Sequence, residues 1–71
     1  MKDNNNYVKN LRSGIKNEIR SKTLIKAKAE AISQASYEGG SLELFFNGKY
    51  YYANLITQRS GGYLKFFWRW Y

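Results

Sequence analysis

Along residues 41–71 apolar and polar positions alternate with a period of two, in three short runs separated by turn residues. The runs are Ser41-Leu42-Glu43-Leu44-Phe45-Phe46, residues 49–57 and residues 63–71, all rich in the aromatic and aliphatic side chains that suit a pleated surface. Asn47-Gly48 separates the first two and can take positive φ at both centres of a type I′ turn. A two-residue loop there pairs Phe46 with Lys49, Leu44 with Tyr51 and Leu42 with Ala53. The second link, Arg59-Ser60-Gly61-Gly62, leaves two registers open. A Gly61-Gly62 loop sets Leu55 opposite Trp68 and Ala53 opposite Trp70; a four-residue loop sets Leu55 opposite Phe66 and Ala53 opposite Trp68. Both keep the same side chains on the same face.

One face then carries Leu42, Leu44, Phe46, Tyr51, Ala53, Leu55, Leu64, Phe66, Trp68 and Trp70, and is expected to be the core face. The other carries Glu43, Phe45, Tyr50, Tyr52, Asn54, Ile56, Gln58, Lys65, Phe67, Arg69 and Tyr71. A face turned only to solvent would be dominated by Thr, Ser, Lys and Glu. This one holds too many rings for that.

Before residue 41 the period changes. Val8, Leu11, Ile15 and Ile19 follow the spacing of an amphipathic helix, with Gly14 a weak point costing about 1 kcal/mol relative to Ala. Lys9, Arg12, Lys16 and Arg20 repeat with the same period and fall within an arc of about 80° at 100° per residue, beside the apolar stripe. Ser21 and Thr23 are both potential caps, and the apolar stripe changes phase there. Leu24, Ala27, Ala31 and Ala35 then form one row, and Ile25, Ala29 and Ile32 another. The helical pattern is expected to end near Ser36-Tyr37-Glu38, before Gly39-Gly40.

The predicted fold class is α+β. An N-terminal helix, one broken or two short, packs on a three-stranded antiparallel β-meander through Leu42, Leu44, Leu55, Phe66, Trp68 and Trp70. The layout is a single small domain over residues 1–71, with a flexible polar segment at 1–6, helix at 7–37 and the meander at 41–71. The sequence has 71 residues and no Cys or His, so neither a disulfide nor a zinc site stabilises so small a core. Aromatic packing or oligomerisation must do so instead.

Charge narrows the function. The formal net charge is +7, and residues 1–36 hold eight Lys or Arg against three acids, so a polyanionic or acidic partner is expected. No apolar stretch reads as a signal peptide or reaches the roughly 20 residues of a membrane span, so the expected location is cytoplasmic, the host cytoplasm if the chain is phage-encoded. The absence of His and Cys removes the commonest base and the thiol nucleophile, and the five acids, Asp3, Glu18, Glu30, Glu38 and Glu43, are scattered. No phosphate-binding glycine loop, dinucleotide motif or metal-ligand spacing occurs. The chain is read as non-enzymatic, with no cofactor and no small-molecule substrate.

The expected function is nucleic-acid binding. Lys9, Arg12, Lys16 and Arg20 are candidate phosphate contacts. Tyr50, Tyr52 and Phe67, with Lys65 and Arg69, are candidates for stacking bases while cations hold the backbone. DNA is placed ahead of RNA only because the helical stripe resembles a backbone-tracking helix. The competing expectation is a small phage-type or mobile-element-type protein that inhibits or modulates a host protein or nucleoprotein complex, binding an acidic protein surface. In blander readings the cations only keep the protein soluble, and the aromatic face or a strand edge closes a homodimer. Membrane binding is disfavoured, because the apolar stripe of residues 8–19 lacks Trp or Phe anchors.

Overall fold

The computed structural model describes residues 5–35 and 40–71. In them the chain runs β1 (Tyr7–Asn10), β2 (Lys16–Glu18), α1 (Leu24–Ala35), β3 (Ser41–Phe46), β4 (Lys49–Ser60) and β5 (Tyr63–Trp70). The strands form one sheet in the order β2-β1-β3-β4-β5, every neighbouring pair antiparallel. The α+β class stands, with one helix among the described residues and five strands in place of three.

Both hairpin turns follow from their residues. Asn47 and Gly48 have φ of 50° and 84°, the left-handed values a type I′ turn needs, and Phe46 pairs with Lys49, Leu44 with Tyr51 and Leu42 with Ala53. Gly61 and Gly62 sit at 55° and 85°, Ser60 pairs with Tyr63, and the shorter of the two loops is therefore the real one. Leu55 faces Trp68 and Ala53 faces Trp70.

The expected helix over residues 7–20 is corrected to a hairpin. Val8 and Ile19 are buried, but Leu11 and Ile15, which should have shared their stripe, are exposed. Asn10 breaks the helical option. Its Oδ1 accepts the N–H groups of Arg12 and Ser13 at 2.9 and 3.1 Å, and its own N–H bonds to Ile15 O at 2.9 Å. Gly14, at φ 80°, completes the turn. What had looked like a helical weak point is the residue that lets the strand reverse. Asn6, expected in a frayed end, instead receives Ile19 N–H on its carbonyl at 3.0 Å and Asn47 N–H on Oδ1 at 2.9 Å.

The helix itself begins where one of the two caps predicted. Thr23 Oγ1 accepts Lys26 N–H at 3.3 Å, and Thr23 O accepts Ala27 N–H at 2.8 Å. Ala27, Ala31 and Ala35 are buried with Leu24 packed beside them, while Ile25 faces solvent. Small side chains let the helix sit close over β1 and β3, on Val8, Leu42, Leu44, Phe46, Ala53 and Ile19. The last described helical residue is Ala35; the expected end at Ser36-Tyr37-Glu38 and the Gly39 stop lie outside the described residues.

The helix does not cover the whole predicted core face. β4 pairs with β3 only as far as Asn54, so residues 55–60 and their partners on β5 form a two-stranded ribbon extending from the sheet. The molecule is correspondingly elongated, 52 × 23 × 17 Å. Trp68 and Trp70 are half-buried against the core and Leu55 is half-buried, but Leu64 and Phe66 are 54% and 61% exposed. Phe66 is thus no anchor for the helix. A helix of 12 residues is about 18 Å long and spans the near half of the sheet only.

Candidate nucleic-acid interface

With the helix on one side, the other side of the sheet has no element over it among the described residues. Strand register fixes what lies there. Tyr7 is flanked by Glu18 on β2 and Phe45 on β3, and Phe45 by Tyr50 on β4. The next row runs Lys16, Lys9, Glu43 and Tyr52, with Tyr71 placed beside Tyr52 by a 2.9 Å bond from Tyr71 N–H to Tyr52 O. Beyond it come Ser41, Asn54 and Arg69, then Ile56 with Phe67, then Gln58 with Lys65. Four interstrand steps of about 4.8 Å make a platform about 19 Å wide.

The rings form a connected surface. Tyr7 and Phe45 stack with centroids 5.5 Å apart, and Phe45 and Tyr50 lie 4.9 Å apart at a tilt. Lys16 Nζ sits 4.5 Å above the Tyr7 ring, a cation–π contact. Tyr7 donates its hydroxyl to Glu43 Oε2 at 2.9 Å, and that bond, with burial and the carboxylate charge, pushes the phenol up to about 12. Tyr52 is also raised, by burial first and then by the same carboxylate. Both phenols are neutral at physiological pH, so neither repels an anion. Ser41 Oγ lies 2.6 Å from Asn54 Oδ1, and Asn54 Nδ2 donates to Tyr71 OH at 2.9 Å, which holds the amide and the last ring in place.

Of the residues singled out in the sequence, Tyr50, Tyr52, Lys65, Phe67 and Arg69 share this open face, as the alternation required. Lys9 and Lys16 join them as cross-strand neighbours. Arg12 lies in the β1–β2 turn and Arg20 in the segment after β2. Arg20 is exposed, with its Nε 3.6 Å from Glu18 Oε1, and lines a shallow polar cleft with Asn6, Lys22 and Asn47. The four cations therefore do not form a helical stripe. The sequence reading missed Tyr7 as part of the face, because β1 was read as helix; its alternation of Tyr7 and Lys9 outward with Val8 and Asn10 inward was the available signal.

Among the described residues no group of three or more His, Cys, Asp or Glu side chains could hold a metal ion, and no helix is long and apolar enough to cross a membrane. No protein-family model, curated protein or solved structure shows significant similarity to this chain.

Proposed function

We propose that the open face of the sheet binds single-stranded nucleic acid without strong sequence preference, by stacking unpaired bases on its rings and holding phosphates with its cations. The observation that carries this reading is the combination on one uncovered face of Tyr7, Phe45, Tyr50, Tyr52, Phe67 and Tyr71 with Lys9, Lys16, Lys65 and Arg69. Lys9 and Lys16 stand directly opposite each other, a like-charge pair with one acid, Glu43, across from Lys9 on the other side. Exposed rings on a folded sheet are a second local conflict. Such conflicts concentrate at functional sites, and a polyanion with unstacked bases relieves both at once.

A duplex presents its bases already stacked, so the rings would have nothing to take up. The reason for placing DNA ahead of RNA disappears with the helical stripe, and the proposal covers single strands of either.

Substitution on the face tests it. Each stacked base contributes about 1–3 kcal/mol, so Tyr52→Ala and Phe67→Ala should each weaken binding to a labelled single strand by roughly 5- to 150-fold. Both side chains are more than two-fifths exposed, at 43% and 44%, and the fold should survive their loss. Unchanged affinity in both variants would assign the face to a different partner, an acidic protein surface being the alternative its charge admits.

A further inference from the structure

Among the described residues three strand segments of this sheet have an open side, and two of them carry features that discourage pairing. β2 is three residues long, Lys16-Asn17-Glu18, too short and too charged to template another strand. The free stretch of β4 past Leu55 is largely polar, with Thr57, Gln58, Arg59 and Ser60. β5 is eight residues long, forms the sheet's outer edge along its whole length, and carries Leu64, Phe66, Trp68 and Trp70 on the helix side. A long, apolar edge of this kind is a ready template for another strand.

The turn geometry fixes which backbone groups are free. Residues flanking a two-residue hairpin loop form a hydrogen-bonded pair, so Ser60 and Tyr63 bond each other, and by alternation Lys65, Phe67 and Arg69 also turn their backbone toward β4. The bond from Tyr71 N–H to Tyr52 O keeps the same alternation. The backbone N–H and C=O groups of Leu64, Phe66, Trp68 and Trp70 therefore point outward. Lys65 and Arg69, the two cations of the strand, stand over the open face and do not shield that row.

We propose that β5 pairs antiparallel with β5 of a second copy, about a two-fold axis at Phe66, joining the two sheets into one. The strand is self-complementary in this arrangement and no other partner need be invoked. In a two-fold pair, each residue meets the one its partner meets in return, and opposed residues share a face, so the axis must pass through a residue. Placed at Phe66, it sets Leu64 opposite Trp68, Lys65 opposite Phe67 and Tyr63 opposite Arg69. Both cations then meet a ring, and on the helix side Leu64, Phe66 and Trp68 meet apolar partners while Trp70 falls opposite Gly62.

The neighbouring registers are worse. An axis at Phe67 opposes Lys65 to Arg69, like charge to like. An axis at Trp68 leaves Tyr63 and Leu64, 74% and 54% exposed, beyond the pairing. The net charge of +7 is unevenly spread: residues 1–36 hold eight of the twelve cations, and Lys28 of α1 reaches β5, its Nζ 5.3 Å from the Trp70 ring. The pairing also supports the β4–β5 ribbon, since two strands alone are marginal in water.

The test is light scattering and sedimentation equilibrium over a concentration series. The expected mass is twice the 8.4 kDa of one chain. Phe66→Lys opposes like charges at the axis, and Leu64→Pro removes an outward N–H that no hydrogen bond among the described residues uses; both should give monomers with unchanged circular dichroism. Phe66→Cys, in a chain with no other cysteine, should cross-link to itself on mild oxidation, because hydrogen-bonded partners stand about 5.5 Å apart at Cα; Phe67→Cys should not. A monomer at every concentration overturns the proposal, as does a dimer that Phe66→Lys and Leu64→Pro leave intact or in which Phe66→Cys fails to cross-link. Phe66 lies on the side of the sheet away from Tyr52 and Phe67, so either result leaves the stacking proposal to be judged separately.

Discussion

Asn10 is 3% exposed in a core otherwise made of alanine, valine, leucine, isoleucine and phenylalanine, and it is tolerated because its polar atoms are paired. Nδ2 donates to Ala35 O at 2.9 Å while Oδ1 accepts two turn N–H groups, so one side chain ties the β1–β2 turn to the end of the helix. Asn10→Leu strands all three groups. It should cost about 1–3 kcal/mol, read as a lower urea midpoint at unchanged slope. Glu30 does a similar task for the segment entering the helix. It accepts Arg20 N–H, Ser21 N–H, Ser21 Oγ–H at 2.7 Å and Gln34 Nε2–H at 2.8 Å. Partial burial opposes its charge, but these bonds outweigh burial and hold the carboxyl below its ordinary 4.5. A depressed folded value means stability that is complete above pH 4.5 and is lost as pH falls below it through the folded value. Glu30→Gln should flatten that acid limb in a denaturation series, and an unchanged limb would show that other carboxylates set it.

At the scale of elements, turn chemistry decided what could be read. Asn47-Gly48 and Gly61-Gly62 are local signals with a single geometric solution, and once they are placed the alternation assigns every residue of β3, β4 and β5 to its face. Gly48→Ala at φ 84° should cost about 1 kcal/mol, whereas Asn47→Gly should change stability little; equal effects would contradict the turn assignment. Residues 7–20 were harder because two signals conflicted. Val8, Leu11, Ile15 and Ile19 fit a helical period, yet Val8 and Ile19 enter the core as strand and post-strand residues that happen to be eleven apart. Ser13-Gly14 and the Asn10 side chain were the competing turn signals, and non-local pairing with β3, invisible in a local window, settled the contest. The alanine row of α1 was legible for the opposite reason: nothing else in that segment competes with a helix.

Across the whole molecule the sheet has two unlike sides, and the helix distinguishes them. Which residues of β3–β5 share the open face followed from period two alone. That Tyr7, Lys9 and Lys16 belong with them did not, because it depends on β1 inserting beside β3 and β2 beyond it. The extent of cover was also hidden: the alanine-rich pattern after Thr23 shows a helix, but not that it lies over β1 and β3 and leaves the β4–β5 ribbon bare. The ribbon accounts for the elongation and for an edge with apolar flanks, while the platform beneath it gathers rings and cations from all five strands. Fluorescence anisotropy of labelled single-stranded DNA, single-stranded RNA and duplex, titrated with the protein across a salt series, reads binding to the open face. Single strands should bind in preference to duplex, with log K falling linearly against log salt, and the slope should become shallower by about 0.7 for each of Lys9→Ala and Lys16→Ala. Duplex preference, a slope indifferent to those lysines, or no binding at physiological salt would contradict the proposed single-strand binding.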